Sequence, residues 1–244
     1  AGAILEIHDR LIGELTGASE SLYRDVEVPL IGVLANMELQ GIRLDLEQLE
    51  KVRVDVDARL TKAVASCHEY AGRAFNVNSR HELRTVLFEE LGLPPSKKVS
   101  DGWSTDHGVL EKLIGLHPLP KALVEQRTLK KLLSTYLTKL PLTVGDDGRV
   151  HTTLWQTVTA TGRLSSSDPN LQNIPVRTFE GKRIRACFKP KRGYRFVSAD
   201  YSQVELRILA HLSGEKTLIN AFVSGEDIHR RTASEIFGLP IDWV

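Results

Sequence analysis

From Leu46 onward, apolar residues fall at Leu49, Val52, Val56, Leu60, Val64 and Cys67, in steps of three or four that draw one stripe along a long helix. The surrounding segments follow the same period, so the first half of the chain reads as helix. Leu22 to Gln40 is similar and ends at Gly41, a C-terminal cap. Ser79 followed by Glu82 makes a capping box that opens a helix through Leu91. A further helix is expected from about Leu119 to Tyr136, with Arg127, Lys130 and Lys131 on its polar side. Between these, Pro94 to Gly102 reads as a polar, basic loop.

The second half changes character. Asp146-Asp147-Gly148 is a tight turn joining a short strand to Val150–Thr159, a segment rich in Thr, Val and Trp. A long irregular stretch follows, Thr161 to Pro175, then a strand over Tyr194 to Ala199 and a helix over Val204 to Leu212. A boundary near residue 140 is expected, with a helical module before it and an α/β module after it. There is no internal repeat or low-complexity tract.

Bulk properties exclude little. The 244 residues are 41% hydrophobic and 26% charged, the balance of an ordinary globular protein. The net charge of +1 advertises no polyanionic partner by itself. Cys67 and Cys187 stand far apart in no C-x-x-C spacing and read as buried thiols in a reducing compartment. No apolar run approaches the roughly 20 residues of a membrane span, so no membrane partner is expected. The N-terminus has neither a secretory pattern nor an initiator Met, which fits a chain cut from something longer; a cytoplasmic, bacterial-like location is expected.

Charge is local. Arg177, Lys182, Arg183, Arg185, Lys189, Lys191, Arg192 and Arg195 stand against one acid, Glu180, in a run that is either a solvated face or a phosphate-binding one. Beside it lie two chemically pointed segments. In Asp200-Tyr201-Ser202-Gln203-Val204-Glu205-Leu206-Arg207, Asp200 ends an apolar strand and precedes a helix. A carboxylate there suits Mg²⁺, which takes one or two protein carboxylates and fills its other positions with phosphates and water; a helix N-cap is the plainer role for the same residue. Thr159 to Pro175 concentrates Arg163, Asn170, Gln172, Asn173 and several hydroxyls in a Gly- and Pro-punctuated loop, donors suited to sugar, phosphate and minor-groove edges unless they are merely solvated.

Together, in this order, these two segments resemble those of family A DNA polymerases, the DNA polymerase I-like group. Asp200 to Arg207 is similar to that family's motif A nearly letter for letter. Thr161-Gly162-Arg163-Leu164-Ser165-Ser166 and Asp168 to Pro175 look like its primer–template segment, and Asp227-Ile228-His229 matches an early-fingers motif. Phe75-Asn76-Val77-Asn78-Ser79, Ser104-Thr105-Asp106 and Ser134-Thr135-Tyr136 look like thumb landmarks, so the resemblance covers nearly the whole chain. It implies an α+β fold: a mostly helical thumb, then the first part of a right-hand palm with an antiparallel sheet. The divisions would be a tail of an exonuclease-like domain over 1–20, thumb over 21–140, palm over 141–213 and the start of the fingers over 214–244.

The resemblance also implies roles. Asp200 would bind two catalytic Mg²⁺ ions, and the Tyr201 carbonyl one of them. Tyr201, Ser202, Gln203, Val204 and Glu205 would line the incoming deoxynucleoside triphosphate, with Glu205 beneath the sugar and His229 at the triphosphate. Arg163, Asn170, Gln172, Asn173 and Arg177 would meet primer–template DNA, while Arg127, Lys130, Asn78 and Ser79 would hold duplex phosphates from the thumb. The parent would act as a monomer. The family's main fingers helix and its second metal-binding Asp are not found in this sequence, and Glu205, five residues after Asp200 in the following helix, cannot substitute. The chain alone is therefore expected to be catalytically incomplete. A single-subunit RNA polymerase and a non-catalytic DNA-binding relic are the alternatives.

Overall fold

The computed structural model describes residues 2–243 and divides into two compact units, Ala1–Tyr194 and Arg195–Val244. In the first unit, α1 (Gly2–Ile12) and α2 (Gly17–Leu22) precede a π-helical turn, Tyr23–Glu27, that runs on into α3 (Val28–Gln40). The helix expected over Leu22 to Gln40 is thus continuous but loosened at its start. Pro29 explains this: it has no N–H to donate and its ring opposes a regular preceding turn. Gly41 closes α3 at φ +55°, and a Cβ there would stand 2.7 Å from the His151 ring, so both backbone and space call for glycine.

After β1 (Ile42–Leu44), Asp45 caps α4 (Leu46–Ala71) by accepting from the Gln48 N–H at 3.0 Å. The stripe buries as expected at Leu49, Val52, Val56 and Cys67, with Ala63 between; Leu60 and Val64 lie at its half-buried margin. α5 (Arg80–Arg84) begins at Ser79, whose hydroxyl accepts from the Glu82 N–H, and passes into a π-helical stretch, Thr85–Glu90. Only half of the capping box forms. The Glu82 carboxylate accepts from the Asn76 N–H at 2.8 Å, because the Ser79 N–H already donates to the Asn76 carbonyl. The polar stretch Pro94 to Gly102 is less irregular than expected: β2 (Lys98–Val99) and β3 (Gly102–Trp103) form a short hairpin, held by the Arg84 guanidinium on the Asp101 and Trp103 carbonyls.

α6 (His107–Leu113) and α7 (Pro118–Leu132) complete the helical part, and α7 continues through a π-helical turn, Leu133–Leu137. α4 and α7 pack side by side and serve two cores. One gathers Cys67, Phe75, Leu83, Leu87, Leu110 and Leu123; the other gathers Leu49, Val56, Leu129, Leu137, Ile184 and Cys187. The second core joins residues on both sides of 140, so the chain has no compact division there; its units part at Tyr194 and Arg195 instead.

The expected strand over Val150–Thr159 is broken. β4 (Arg149–Val150) pairs with β1, and β5 (Thr153–Trp155) turns away to pair with β6 (Ser165–Ser167), inside the stretch expected to be irregular. α8 (Phe179–Arg185) leads to β7 (Phe188–Lys189), giving an antiparallel sheet in the order β4-β1-β7. α8 is fastened to α4 by Arg59 on Glu180 at 2.5 Å and by Arg183 on Asp55. Both cysteines are buried free thiols, and burial pushes Cys67 up to about 11.

The second unit holds α9 (Val204–Ser213), α10 (Lys216–Ser224) and α11 (Ile228–Phe237) around the buried Ala210, Ala221 and Ile228. The strand expected over Tyr194 to Ala199 does not form. A strand needs a neighbour for its N–H and C=O groups, and no described segment pairs with these residues, which are exposed throughout. None of the described helices is long and apolar enough to cross a membrane.

Candidate nucleic-acid interface and nucleotide site

In the first unit the middle of α7 organises one face. Gln126 donates to the Asn78 Oδ1 at 3.3 Å, and the next residue, Arg127, donates through its guanidinium to the Thr105 carbonyl. Two loops, 76–79 and 104–106, are thereby pinned around a cleft of about 510 Å³ that Asn78, Arg80, Thr105 and Arg127 help to line. Phe75 and Val77 are buried while Asn76 and Asn78 are exposed, an alternation that anchors the first loop in the core and turns its amides outward. Arg127 is half-buried, not a free surface cation, and burial, then the neighbouring Arg80, press its pKa below the ordinary value. An anion placed in this cleft relieves both. Ser79 spends its hydroxyl on the α5 cap, so a ligand there meets its side chain already engaged.

A second cleft, about 710 Å³, lies between the end of α7 and the 166–173 loop, lined in part by Lys131, Thr135, Lys139, Asn170 and Asn173. Tyr136 joins its two walls, its hydroxyl donating to the Asn173 carbonyl. The loop is a built object. The buried Ser166 hydroxyl meets Thr152 at 2.6 Å and accepts from the Leu171 N–H at 3.1 Å. Gln172 uses both ends of its amide inside the loop, donating to the Leu164 carbonyl at 3.0 Å and accepting from the Ser166 N–H at 3.2 Å. It therefore shapes the loop before it can touch anything else. Asn170 accepts backbone N–H bonds from Gln172 and Asn173, and the Asn173 side chain is exposed. Arg163 is exposed beyond the β6 end, on a turn closed by the Thr159 hydroxyl and the Arg163 carbonyl at 2.5 Å; Arg177 is exposed as well.

Sequence reasoning placed Lys130 on this face, but Lys130 lines neither cleft; Lys131 does. Lys139, Thr135 and Arg80 were also missed. Part of the signal was present: Arg127, Lys131, Thr135 and Lys139 recur at four-residue steps, the first two one turn apart on α7, Thr135 in the π-helical turn and Lys139 just past it. The basic run after Arg177 divides. Arg183 is consumed by Asp55 and packs 5.5 Å from the Phe179 ring centre, whereas Lys182, Arg185 and Arg192 have no ion pair among the described residues.

In the second unit, Asp200, Tyr201, Ser202 and Glu205 are all exposed at the entrance to α9. Gln203 caps α9 in the left-handed region (φ +51°, ψ +36°), a conformation costing a side-chain-bearing residue about 1–2 kcal/mol. Backbone held off its preferred basin at a helix entrance aims the flanking side chains, and here those are Asp200 to Glu205. Because Gln203 occupies the cap, the N-cap role open to Asp200 in the sequence is not taken. Arg207 braces the turn, donating to the Ser202 carbonyl at 3.0 Å and lying 4.7 Å from the centre of the Phe222 ring. Asp227 caps α11 through the His229 and Arg230 N–H groups, bonds that lower its pKa, and leaves His229 exposed on the first turn. The described residues contain no group of three or more His, Cys, Asp or Glu that could hold a metal alone. Asp200 and the Tyr201 carbonyl are hard oxygen donors of the kind Mg²⁺ accepts as a partial set beside phosphates and water.

An α+β chain with cation- and amide-lined clefts in one unit and an exposed carboxylate-bearing turn in the other has the parts of a nucleic-acid-handling enzyme domain. Comparison with known proteins makes that class specific: the model for DNA polymerase family A matches residues 46–244. The chain belongs to this family. It is 48% identical over 249 residues to the thermostable DNA polymerase I of Thermus aquaticus, covering 98% of this chain and 30% of that protein. With DNA polymerase I of Lactococcus lactis subsp. lactis the identity is 44%, over 95% of this chain and 26% of the relative. Among solved structures, the POL domain of Pol1 from M. smegmatis, in complex with DNA primer-template and dNTP, superposes with a TM-score of 0.85 at 42% identity, over 92% of this chain and 40% of that one. The chain thus spans less than a third of the length of these curated relatives.

Proposed function

We propose that this chain supplies the thumb, the first part of the palm and the start of the fingers of a template-directed DNA polymerase, over the divisions 21–140, 141–213 and 214–244, with 1–20 as the tail of a preceding exonuclease-like domain. The observation that carries the reading is the series Arg127, Lys131, Thr135 and Lys139 running past two clefts edged by Asn78, Asn170 and Asn173. At no more than 1.5 Å per residue these positions cover at most about 18 Å, up to roughly five base-pair steps of duplex. Cations and amides in that arrangement grip phosphates and sugars without reading sequence, as a copying enzyme requires. The bound primer-template and dNTP of the M. smegmatis structure support the same partners here.

Asp200 and the Tyr201 carbonyl would hold Mg²⁺, which when bound would neutralise charge on the attacking and leaving oxygens of phosphoryl transfer. Two such ions serve the complete enzyme. The turn held by Gln203 and Arg207 orients the nucleotide-facing side chains Ser202, Gln203, Val204 and Glu205, while His229 reaches for the triphosphate. Arg163 meets the minor groove at the primer end; Gln172 and Asn173 stand behind it. The enzyme works as a cytoplasmic monomer. With one metal-binding carboxylate among the described residues, the chain alone binds duplex and does not extend a primer.

Asp200→Ala in the full-length enzyme tests this. Incorporation should fall by about 10³-fold or more, the scale of losing a preorganised electrostatic contact, with primer-template affinity retained. A folded variant within tenfold of the normal rate overturns the metal assignment.

A further inference from the structure

Gln126 is the one described residue whose buried side-chain oxygen, Oε1, has no hydrogen-bond partner. It is 1% exposed in the middle of α7, where an apolar residue would pack at no polar cost. Its one bond is donated to Asn78 Oδ1, at the rim of the first cleft. The orientation follows from counting. Turned the other way, Gln126 would bury an amide nitrogen with both hydrogens unused, and orphaned N–H groups are rarer than under-used carbonyls. With Oδ1 taken from behind, the end of Asn78 left for the cleft is its Nδ2, a pure donor.

We propose that Gln126 is a positioning residue that fixes the Asn78 amide with its NH₂ toward the cleft, making it a dedicated donor to a phosphate oxygen of bound duplex. The inference rests on the duplex-binding reading above. A free Asn side chain presents oxygen or nitrogen with equal ease, and an oxygen facing a phosphate repels it. A buried donor behind the amide removes the wrong face. Its neighbour Arg127 pins the opposite loop at Thr105, so two adjacent residues of α7 set both rims of the phosphate site. The polar cost of burying Gln126 is retained for what Asn78 does outside.

The experiment uses this 244-residue chain and a fluorescently labelled primer–template duplex, with anisotropy titrations from 50 to 200 mM salt. Gln126→Met keeps the volume and removes the donor. It should match or exceed the parent in thermal stability and bind several-fold more weakly at every salt concentration, with the slope of log affinity against log salt unchanged, because a neutral amide releases no counterion. Asn78→Ala should do the same, and the double variant should be no weaker than either single one. A Gln126→Met chain with the parental affinity, or a double variant whose losses add, overturns the assignment while leaving duplex binding intact. A parent chain that binds no duplex overturns the functional reading itself. Should Gln126→Met fail to fold, side-chain amide NMR of the parent decides. The Asn78 NH₂ must shift on adding duplex while the Gln126 NH₂ stays protected, and an unmoved Asn78 signal refutes the proposal.

Discussion

Replacing Gly181 by Ala sets two effects of opposite sign against each other. Gly181 lies in the first turn of α8, where alanine is the better helix former by at most about 1 kcal/mol. The structure reverses the sign. A Cβ at this position would stand 2.3 Å from the Pro175 carbonyl oxygen and 2.8 Å from its carbon, both backbone atoms. Neither can swing aside as a side-chain tip can, and the buried Ile174 beside Pro175 anchors the segment. Overpacking costs about 1–3 kcal/mol, and a backbone clash this close belongs at the top of that range. Subtracting the helix gain leaves a loss of about 2 kcal/mol, or roughly 4–8 °C in melting temperature for a unit of this size. Gly32 is the control: it lies in α3 with nothing within 4 Å of its Cβ position, so Gly32→Ala should stabilise by up to about 1 kcal/mol. Circular dichroism melts of both variants make the comparison. A Gly181→Ala protein melting at or above the parent would refute the steric argument.

His151 Nδ1 donates to the Glu38 carbonyl at 2.7 Å, and Nε2 faces the Asp147 carboxylate at 3.2 Å; the backbone bond, then Asp147, raises its pKa above 6.5. Its contribution to stability is therefore complete below about 6.5 and lost as pH rises through the higher folded value. His151→Gln should flatten the stability–pH curve in that window, and an unchanged curve would refute the latch. In the full-length enzyme, Glu205→Ala should raise ribonucleotide use by orders of magnitude, since an apolar pocket alone rejects an added hydroxyl only about 10²-fold; an unchanged ratio of deoxy to ribo efficiencies contradicts the place given to Glu205 beneath the sugar. Arg163→Ala should slow extension from every correct terminal pair by a similar factor, because minor-groove acceptors occupy equivalent places in all of them. Strong dependence on the terminal pair contradicts that role.

The helices of the first unit were legible because their apolar spacing and caps are local: Asp45, Ser79 and Gly41 act within one turn of themselves. What the sequence concealed depends on distant partners. The Val150–Thr159 segment reads as one strand, yet its two halves pair with Ile42 and with Ser165–Ser167, and no local pattern announces that change. Tyr194 to Ala199 has a strand's composition, but strand formation belongs to the pair. In the site, the motif residues were found by resemblance, while the difference between Lys130 and Lys131 is a matter of helix phase against a loop more than 30 residues on. Gln126 was invisible because a buried glutamine in an amphipathic helix looks like an interruption of its stripe.

α4 reaches through both cores, and near its middle Asp55 and Arg59 are clasped by Arg183 and Glu180. Its 26 residues make a rod of about 39 Å. From that clasp to either end is only about 20 Å, so a rotation of about 5° around it carries each tip by less than about 2 Å. A rod gripped at its middle moves least at both ends for a given tilt, so two ion pairs steady both cores at once.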